Sequence, residues 1–304
     1  CIRDSAYSAP FTGTGYENTV TDLTRDDMIA FYDRWMKPNN SSIIVVGDIE
    51  MSELTKKLEN LFGKWRKGDV PTKNIGEVTS KTSNTLYLMD RPESQQSIII
   101  SGQLTDPYGK VSEISAEAMI NVLGGQFTSR INMNLREDKH WAYGAFGFIV
   151  DAKGQRPFIT YAPVQTDKTE ESAVELRKEV TQFVGDKPVT QEELDKVKEN
   201  TVLQLPGQWE TNNAVSNSLN TLVKYGLSDD YYQTYDQNVR NLSLSDVRGV
   251  SKEMKPPDDT NWFVVGDKAV ILEKLKEFGF DEIIEIDTDG NPLKPSGDIN
   301  IEGQ

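Results

Sequence analysis

One stretch of the chain occurs twice. Residues 23–48 and 242–267 share identical or similar residues at a constant offset of 219 positions, with no gap. The matched positions are Leu23, Thr24, Asp27, Pro38, Val45, Val46, Gly47 and Asp48 in the first copy, and Leu242, Ser243, Asp246, Pro257, Val264, Val265, Gly266 and Asp267 in the second. Because copies of a repeat fold alike, this pattern constrains the architecture before any local signal is considered.

The two copies differ in what precedes them. A long, ordered-looking stretch beginning near Thr85 leads into the second copy, whereas the first copy lies close to Cys1. We therefore expect about 130 residues of a first domain to be missing before Cys1. The predicted organisation is a partial first domain (1–63), a polar linker (64–83), a complete second domain (84–289) and a loose tail (290–304).

Each copy has the pattern helix, strand, helix. Thr24 and Ser243 each precede an aspartate by three residues, which predicts a capping box at a helix N-terminus. The apolar runs Ile43–Val46 and Phe263–Val265 that follow predict one strand per copy.

The second domain continues the alternation of strands and helices. Predicted strands are Thr85–Met89, Ser97–Leu104, a hairpin of Tyr143–Val150 with Phe158–Gln165, and Glu282–Ile286; predicted helices include Glu113–Leu123, Phe127–Lys139 and one that buries Ala173, Leu176, Val180 and Phe183. This order predicts an α+β fold, a mixed or antiparallel sheet with helices packed on one face, in a duplicated domain.

Composition excludes several classes of protein. With 48 acidic and 33 basic residues the net charge is −15, which disfavours nucleic acid as a partner. No run of 18 apolar residues is present, so no membrane span is predicted. Cys1 is the single cysteine, which excludes an internal disulfide framework and leaves the compartment open.

Few residues suggest chemistry. His140 is the single histidine, so a zinc site with two imidazoles cannot be built, and we predict a solvated side chain near a helix end. Gly124-Gly125 follows no strand and predicts a turn rather than a phosphate loop. No metal-binding or cofactor-binding residue is predicted in this chain.

Residues 123–144 carry the strongest candidates. Phe127, Ile131 and Leu135 share one helical face and are predicted as core. Arg136 and Tyr143 could both donate hydrogen bonds to one carbonyl or oxyanion. The alternative is an arginine in a surface ion pair and a half-buried tyrosine that begins a strand.

Over residues 15–287 the chain resembles the pitrilysin/insulinase family of zinc peptidases, the inverzincins. The motifs occur in order and at family spacing, in residues 23–32, 37–40, 45–48, 123–131, 135–139, 143–144 and 225–232. The resemblance implies two homologous α+β domains per module and two modules that close around a peptide. It also implies zinc held by H-x-x-E-H and a downstream glutamate, whose bound water attacks the peptide bond.

No H-x-x-E-H occurs in this chain, so the resemblance places zinc in a missing N-terminal module or subunit of the parent protein. It also assigns Arg136 and Tyr143 to the family's Arg/Tyr pair, seven residues apart, which contacts the substrate carbonyl and developing oxyanion. His140-Trp141 stands where the family often has Gly-Tyr, which leaves the backbone of the intervening loop open.

Two functions follow. The first is the C-terminal fragment of a zinc-dependent metalloendopeptidase, inactive alone, which walls a chamber for unfolded polypeptide and supplies Arg136 and Tyr143. The alternative is a non-catalytic subunit of the processing-peptidase or respiratory-core type that binds peptide or partner without cleavage. The acidic balance hints at basic peptides, and the family members it resembles imply a bacterial periplasmic or exported protein.

Overall fold

The computed structural model describes residues 17–73, 76–78, 84–254 and 260–293. These fall into two compact units. The first holds the described residues before position 80 together with Leu203–Tyr235, and the second holds the remainder up to residue 293. The domain boundaries predicted from the sequence stay a prediction, and most of the predicted tail lies outside the described residues.

A mixed six-stranded sheet forms the centre of the second unit. Its strands are β1 (Thr85–Asp90), β2 (Gln96–Thr105), β3 (Phe146–Ile149), β4 (Arg156–Gln165), β5 (Asn261–Gly266) and β6 (Glu282–Ile286), in the spatial order β3-β4-β2-β5-β1-β6. β1 runs parallel to β5 and β6, whereas β2 is antiparallel to β4 and β5, and β3 is antiparallel to β4. The predicted α+β class and the hairpin are confirmed.

The helices are α1 (Glu17–Asp22), α2 (Arg25–Trp35), α3 (Met51–Phe62), α4 (Glu113–Ile120), α5 (Arg130–Asn132), α6 (Thr169–Val184), α7 (Gln191–Gln204), α8 (Asn212–Tyr225), α9 (Tyr231–Asn241), α10 (Leu244–Ser251) and α11 (Lys268–Glu277). A wide π-helical turn, Asn121–Gly125, extends α4, and a second, Met133–Asp138, extends α5. None of these helices combines the length and apolar character needed to cross a bilayer.

The core of the second unit lies between one face of the sheet and the helices of that unit. Alternate strand residues are buried because successive side chains point to opposite faces. On the sheet these are Leu86, Leu88, Ile99, Ala162, Trp262 and Val264, and on α6 they are Ala173, Leu176, Val180 and Phe183. The predicted buried face of α6 is therefore confirmed, and Gly185 forms the C-cap of this helix.

The capping boxes predicted in the repeat form in both copies. The backbone N–H of Thr24 donates to the Asp27 carboxylate at 2.9 Å and Asp27 N–H donates back to Thr24 Oγ1 at 3.2 Å. Ser243 and Asp246 make the same pair at 2.8 and 3.3 Å. Hydrogen bonds from the serine or threonine side chain, then from its backbone, hold the pKa of both aspartates below the usual value.

The predicted strands of the two copies differ. Phe263–Val265 lies within β5, between β1 and β2, and Val264 is 1% exposed. Ile43–Val46 forms no strand in the part of the chain that the structure describes, so that prediction is wrong. A strand requires a hydrogen-bonded neighbour, and none pairs with these residues there. Ile43 and Val45 are accordingly 51% and 42% exposed.

The Gly124-Gly125 pair is more than the predicted turn. Both glycines belong to the π-helical turn after α4, and Gly124 packs directly on the backbone of β3. A Cβ on Gly124 would lie 2.5 Å from Gly147 Cα, well inside van der Waals contact. Only a residue without a side chain allows this helix to approach the strand so closely.

We predict that Gly124→Ala destabilises the second unit by about 1–3 kcal/mol, because the added methyl group overpacks a backbone contact. Gly249→Ala is the matched control. Gly249 lies in α10 and a Cβ there would meet nothing within 4 Å, so this change should stabilise by about 0.5–1 kcal/mol. Denaturant unfolding of both variants measures the difference, and equal effects would contradict the assigned contact.

Candidate functional site

An arginine clasp holds the start of the segment that carries the candidate residues. Arg130 Nε and Nη2 donate to the two carboxylate oxygens of Glu193 at 2.6 and 2.7 Å. Its remaining N–H groups donate to the carbonyl oxygens of Lys187 and Pro188. Burial raises the pKa of Glu193, but the hydrogen bonds from Arg130 and Thr190 outweigh it, so the net shift is downward. The clasp ties α5 to α7 and to the loop before it.

The buried face of the segment follows the prediction only in part. Ile131 and Leu135 are 0% and 1% exposed, as expected for core positions. Phe127 is 56% exposed, so its assignment to the core is wrong. Gln126 adopts an extended backbone that ends the π-helical turn, so the helical periodicity linking Phe127 to Ile131 is interrupted.

A tight reversal follows Arg136. His140 takes a left-handed backbone conformation (φ 57°), and its ring Nδ1 lies 3.0 Å from the carbonyl oxygen of Arg136. Trp141 N–H then donates back to the carbonyl oxygen of Leu135 at 3.0 Å. The side chain of His140 is exposed at the helix end, as predicted. Glycine adopts this left-handed φ readily, and in this chain His140 adopts it in place of a glycine to close the loop.

Tyr143 lies in a bend ahead of β3, which begins only at Phe146. Its side chain is 85% exposed. The alternative prediction, a half-buried tyrosine that begins a strand, is therefore wrong. The phenol is open to a molecule arriving from solvent.

The structure brings Arg136 and Tyr143 together and adds a third residue. The guanidinium carbon of Arg136 lies 5.3 Å from the centre of the Tyr143 ring and 4.5 Å from the centre of the Phe127 ring. Both distances are typical of cation–π contacts. We call these three residues the aromatic–arginine cluster. Sequence reasoning missed Phe127, and the glycine pair that breaks the helix before it was the available signal.

The two polar groups of the cluster differ in exposure, because the Arg136 side chain is half-buried and the Tyr143 phenol is open to solvent. Arg136 Nε lies 3.3 Å from a carboxylate oxygen of Glu137, an ion pair of the kind the alternative prediction described. In the described residues the Arg136 Nη atoms donate to no protein acceptor. With the exposed phenol of Tyr143, they are donors that can bind a carbonyl oxygen or an anion.

An open groove of about 900 Å³ lies beside the cluster. Its lining includes Glu137, the ion-pair partner of Arg136, together with Glu179 and Lys187. Neither Arg136 nor Tyr143 lines this groove.

The described residues do not fit a zinc ion. They contain no group of three or more histidine, cysteine, aspartate or glutamate side chains that could hold a metal. With His140 as the chain's single histidine, a site with two imidazoles is excluded.

Comparison with known proteins identifies relatives of the chain. A family model described as "Peptidase M16 inactive domain" matches residues 22–201. The "Non-peptidase homolog YmxG" of Helicobacter pylori is 23% identical over 84% of this chain and 58% of its own length. An "Uncharacterized zinc protease" of Rickettsia felis is 23% identical over 64% of this chain and 46% of its own. The chain thus spans about half the length of these relatives.

Solved structures share the fold. The peptidase M16 inactive domain from Pseudomonas fluorescens matches with a TM-score of 0.74 at 18% identity, over 84% of this chain and 60% of that one. The first half of the periplasmic protease PqqL from Escherichia coli matches with a TM-score of 0.65 at 16% identity, over 88% and 62%. At these identities the matches support the architecture alone.

We predict that Glu193→Gln destabilises the protein by about 1–2 kcal/mol at neutral pH, because it replaces charge-assisted hydrogen bonds from Arg130. Because the folded-state pKa of Glu193 is lowered, its contribution is present above the usual glutamate pKa and is lost as pH falls through the folded value. Unfolding free energies of wild type and variant should therefore converge in acid.

Glu192→Gln is the matched control. Glu192 is 78% exposed and pairs with Lys196 one turn along α7, so its loss should change stability by less than about 0.5 kcal/mol. Equal destabilisation by the two substitutions would show that the clasp contributes nothing specific.

Proposed function

Because the chain belongs to the peptidase M16 family, we propose that it is the C-terminal portion of a zinc-dependent metalloendopeptidase, in which Arg136 and Tyr143 bind the carbonyl oxygen of a peptide substrate. The family model covers residues 22–201, more than half of the chain. The observation that carries the assignment is the aromatic–arginine cluster. It places a guanidinium, whose Nη atoms bond no acceptor among the described residues, beside an exposed phenol.

The chemistry of these groups suits a developing negative charge. A carbonyl oxygen gains charge as it is attacked, and preorganised donors stabilise that charge more than they stabilise the neutral ground state. Phe127 and Tyr143 limit the directions that the guanidinium of Arg136 can take. A donor held in place loses little conformational entropy when it binds the transition state.

The zinc in this proposal is supplied by another part of the parent protein. Relatives of the chain are described as zinc proteases, and the chain spans only 46–58% of the relatives' lengths. We propose that residues 1–63 are the end of a first domain and residues 84–289 a complete second one, joined by a linker over 64–83. The exposed apolar side chains of Ile43 and Val45 are consistent with a first domain completed elsewhere.

The substrate class is polypeptide. An enclosed chamber would select flexible or unfolded chains by size, and the net charge of −15 would favour basic ones. A bacterial periplasmic or exported location is part of the proposal, and the fold match to a periplasmic protease is consistent with it.

The second candidate is a non-catalytic subunit that binds a peptide or partner without cleaving it. One relative is described as a non-peptidase homolog, and the family model itself is that of an inactive domain. The same donors would then hold a backbone carbonyl without promoting attack on it. An H-x-x-E-H motif elsewhere in the parent protein favours the peptidase, and its absence favours the binding subunit.

The decisive test uses the protein in the form its host makes. Metal analysis should find about one zinc per chain, and Arg136→Ala combined with Tyr143→Phe should lower kcat by roughly 10²- to 10³-fold, as for a lost oxyanion donor. Arg240→Ala is the control, since Arg240 is an exposed arginine paired with Asp236 on α9. Absence of both zinc and cleavage would identify the binding subunit instead.

The 304 residues alone should not cleave peptides, even with zinc added, because the described part lacks a set of metal ligands. The measurement is hydrolysis of a quenched fluorescent peptide with and without a chelator. Chelator-sensitive cleavage by this chain would contradict the proposal that the zinc and the Arg136/Tyr143 pair lie in different parts of the parent protein.

A further inference from the structure

One buried amide joins the two loops that flank Arg136. Asn132 is 1% exposed and lies one helical turn before Arg136. Its Nδ2 donates to the carbonyl oxygen of Phe127 at 2.6 Å, and its Oδ1 accepts from the backbone N–H of Ala145 at 3.1 Å. The first bond is to Phe127, whose ring forms one side of the aromatic–arginine cluster. The second is to the backbone two residues after Tyr143, whose ring forms the other side.

The two hydrogen-bond partners of Asn132 require a side chain that both donates and accepts. A carbonyl oxygen requires a donor, and a backbone N–H requires an acceptor. A primary amide offers both from one planar group, whereas leucine offers neither and aspartate only accepts. The two partners also determine which amide atom faces which loop. Because the site is buried, a missing partner would leave a backbone group without a hydrogen bond.

Neither loop belongs to a helix or a strand. Backbone hydrogen bonds at Trp141 tie the start of the second loop to the segment bearing Arg136 and to β4, but this point lies two residues ahead of Tyr143. Phe127 follows the π-helical turn, and Tyr143 lies in a bend before β3. With Phe127 56% and Tyr143 85% exposed, packing against the core does not hold either ring. The Asn132 side chain adds a hydrogen bond to each loop, one at Phe127 itself and one two residues beyond Tyr143.

We infer that Asn132 is a positioning residue that sets the spacing of Phe127 and Tyr143 around the Arg136 guanidinium. The inference rests on the proposed function for its catalytic consequence, but the geometry can be tested without activity. Removal of the amide breaks its hydrogen bonds to both loops and so frees the rings of Phe127 and Tyr143 to move. The guanidinium of Arg136 then loses its fixed direction while its charge remains.

The first measurement is the NMR signal of the Arg136 Nε–Hε group, identified by its absence in Arg136→Lys. Two aromatic rings close to the guanidinium shift this signal away from that of an exposed arginine. Asn132→Leu should return it toward the exposed position, and Asn132→Asp should shift it part of the way, because the acceptor for Ala145 N–H is retained. Should Asn132→Leu fail to fold, Asn132→Asp carries the test.

Thr160→Val is the matched control. Thr160 is buried and its hydroxyl lies 2.6 Å from the Ser101 hydroxyl within the sheet, so the change also removes a buried hydrogen bond. That hydrogen bond joins β4 to β2 and involves neither loop. The Arg136 signal should stay in place in this variant even if its stability falls. An unchanged signal in folded Asn132→Leu or Asn132→Asp would overturn the inference.

The second measurement is peptide hydrolysis by the host's form of the protein. Asn132→Leu should lower kcat by roughly 10- to 100-fold with KM changed by less than about twofold, as expected when a catalytic group is misplaced by about 1 Å. If the Arg136 signal shifts in the variants but the wild-type protein itself cleaves no peptide, the positioning role of Asn132 is upheld and the proposed peptidase function is contradicted. A shifted signal with normal kcat would restrict Asn132 to structure and overturn its role in the reaction.

Discussion

The backbone contact between Gly124 and Gly147 determines the geometry around the candidate site. At this point the π-helical turn after α4 lies directly against β3, with no side chain between them. Directly after this contact Gln126 adopts an extended backbone, Phe127 lies outside the core, and a new helix begins at Arg130. A bulkier residue at Gly124 would push helix and strand apart, because its Cβ would lie 2.5 Å from Gly147 Cα.

Polar contacts then complete what the glycine contact begins. The Arg130–Glu193 clasp holds the start of the Arg136-bearing segment, and the Asn132 amide joins the loops on either side of it. Each is at least partly sheltered from water, where hydrogen bonds are strong and unpaired groups are costly. The aromatic–arginine cluster is thus supported by these sheltered hydrogen bonds. Such support suits hydrogen-bond donors whose function requires a fixed direction.

Sequence patterns predicted correctly those elements that depend on residues close together in the chain. The two capping boxes, the buried face of α6 and the β3–β4 hairpin follow from residues a few positions apart, and all formed. The first strand of the hairpin begins at Phe146 rather than at the predicted Tyr143. The predicted strand Ile43–Val46 failed because its apolar run resembles that of β5 but lacks flanking strands in the described residues. Strand formation depends on distant partners, so the same pattern gave two outcomes.

The sequence by itself determined the fold class, the family resemblance and the pairing of Arg136 with Tyr143 as candidates, since these depend on residue types and their spacing. Only the tertiary structure decided that Phe127 leaves the core, that the tyrosine is exposed before the strand, and that one buried amide connects both loops. Those outcomes depend on a π-helical turn and on hydrogen bonds between segments up to 13 residues apart. Helical periodicity, which assumes a regular turn, does not encode them.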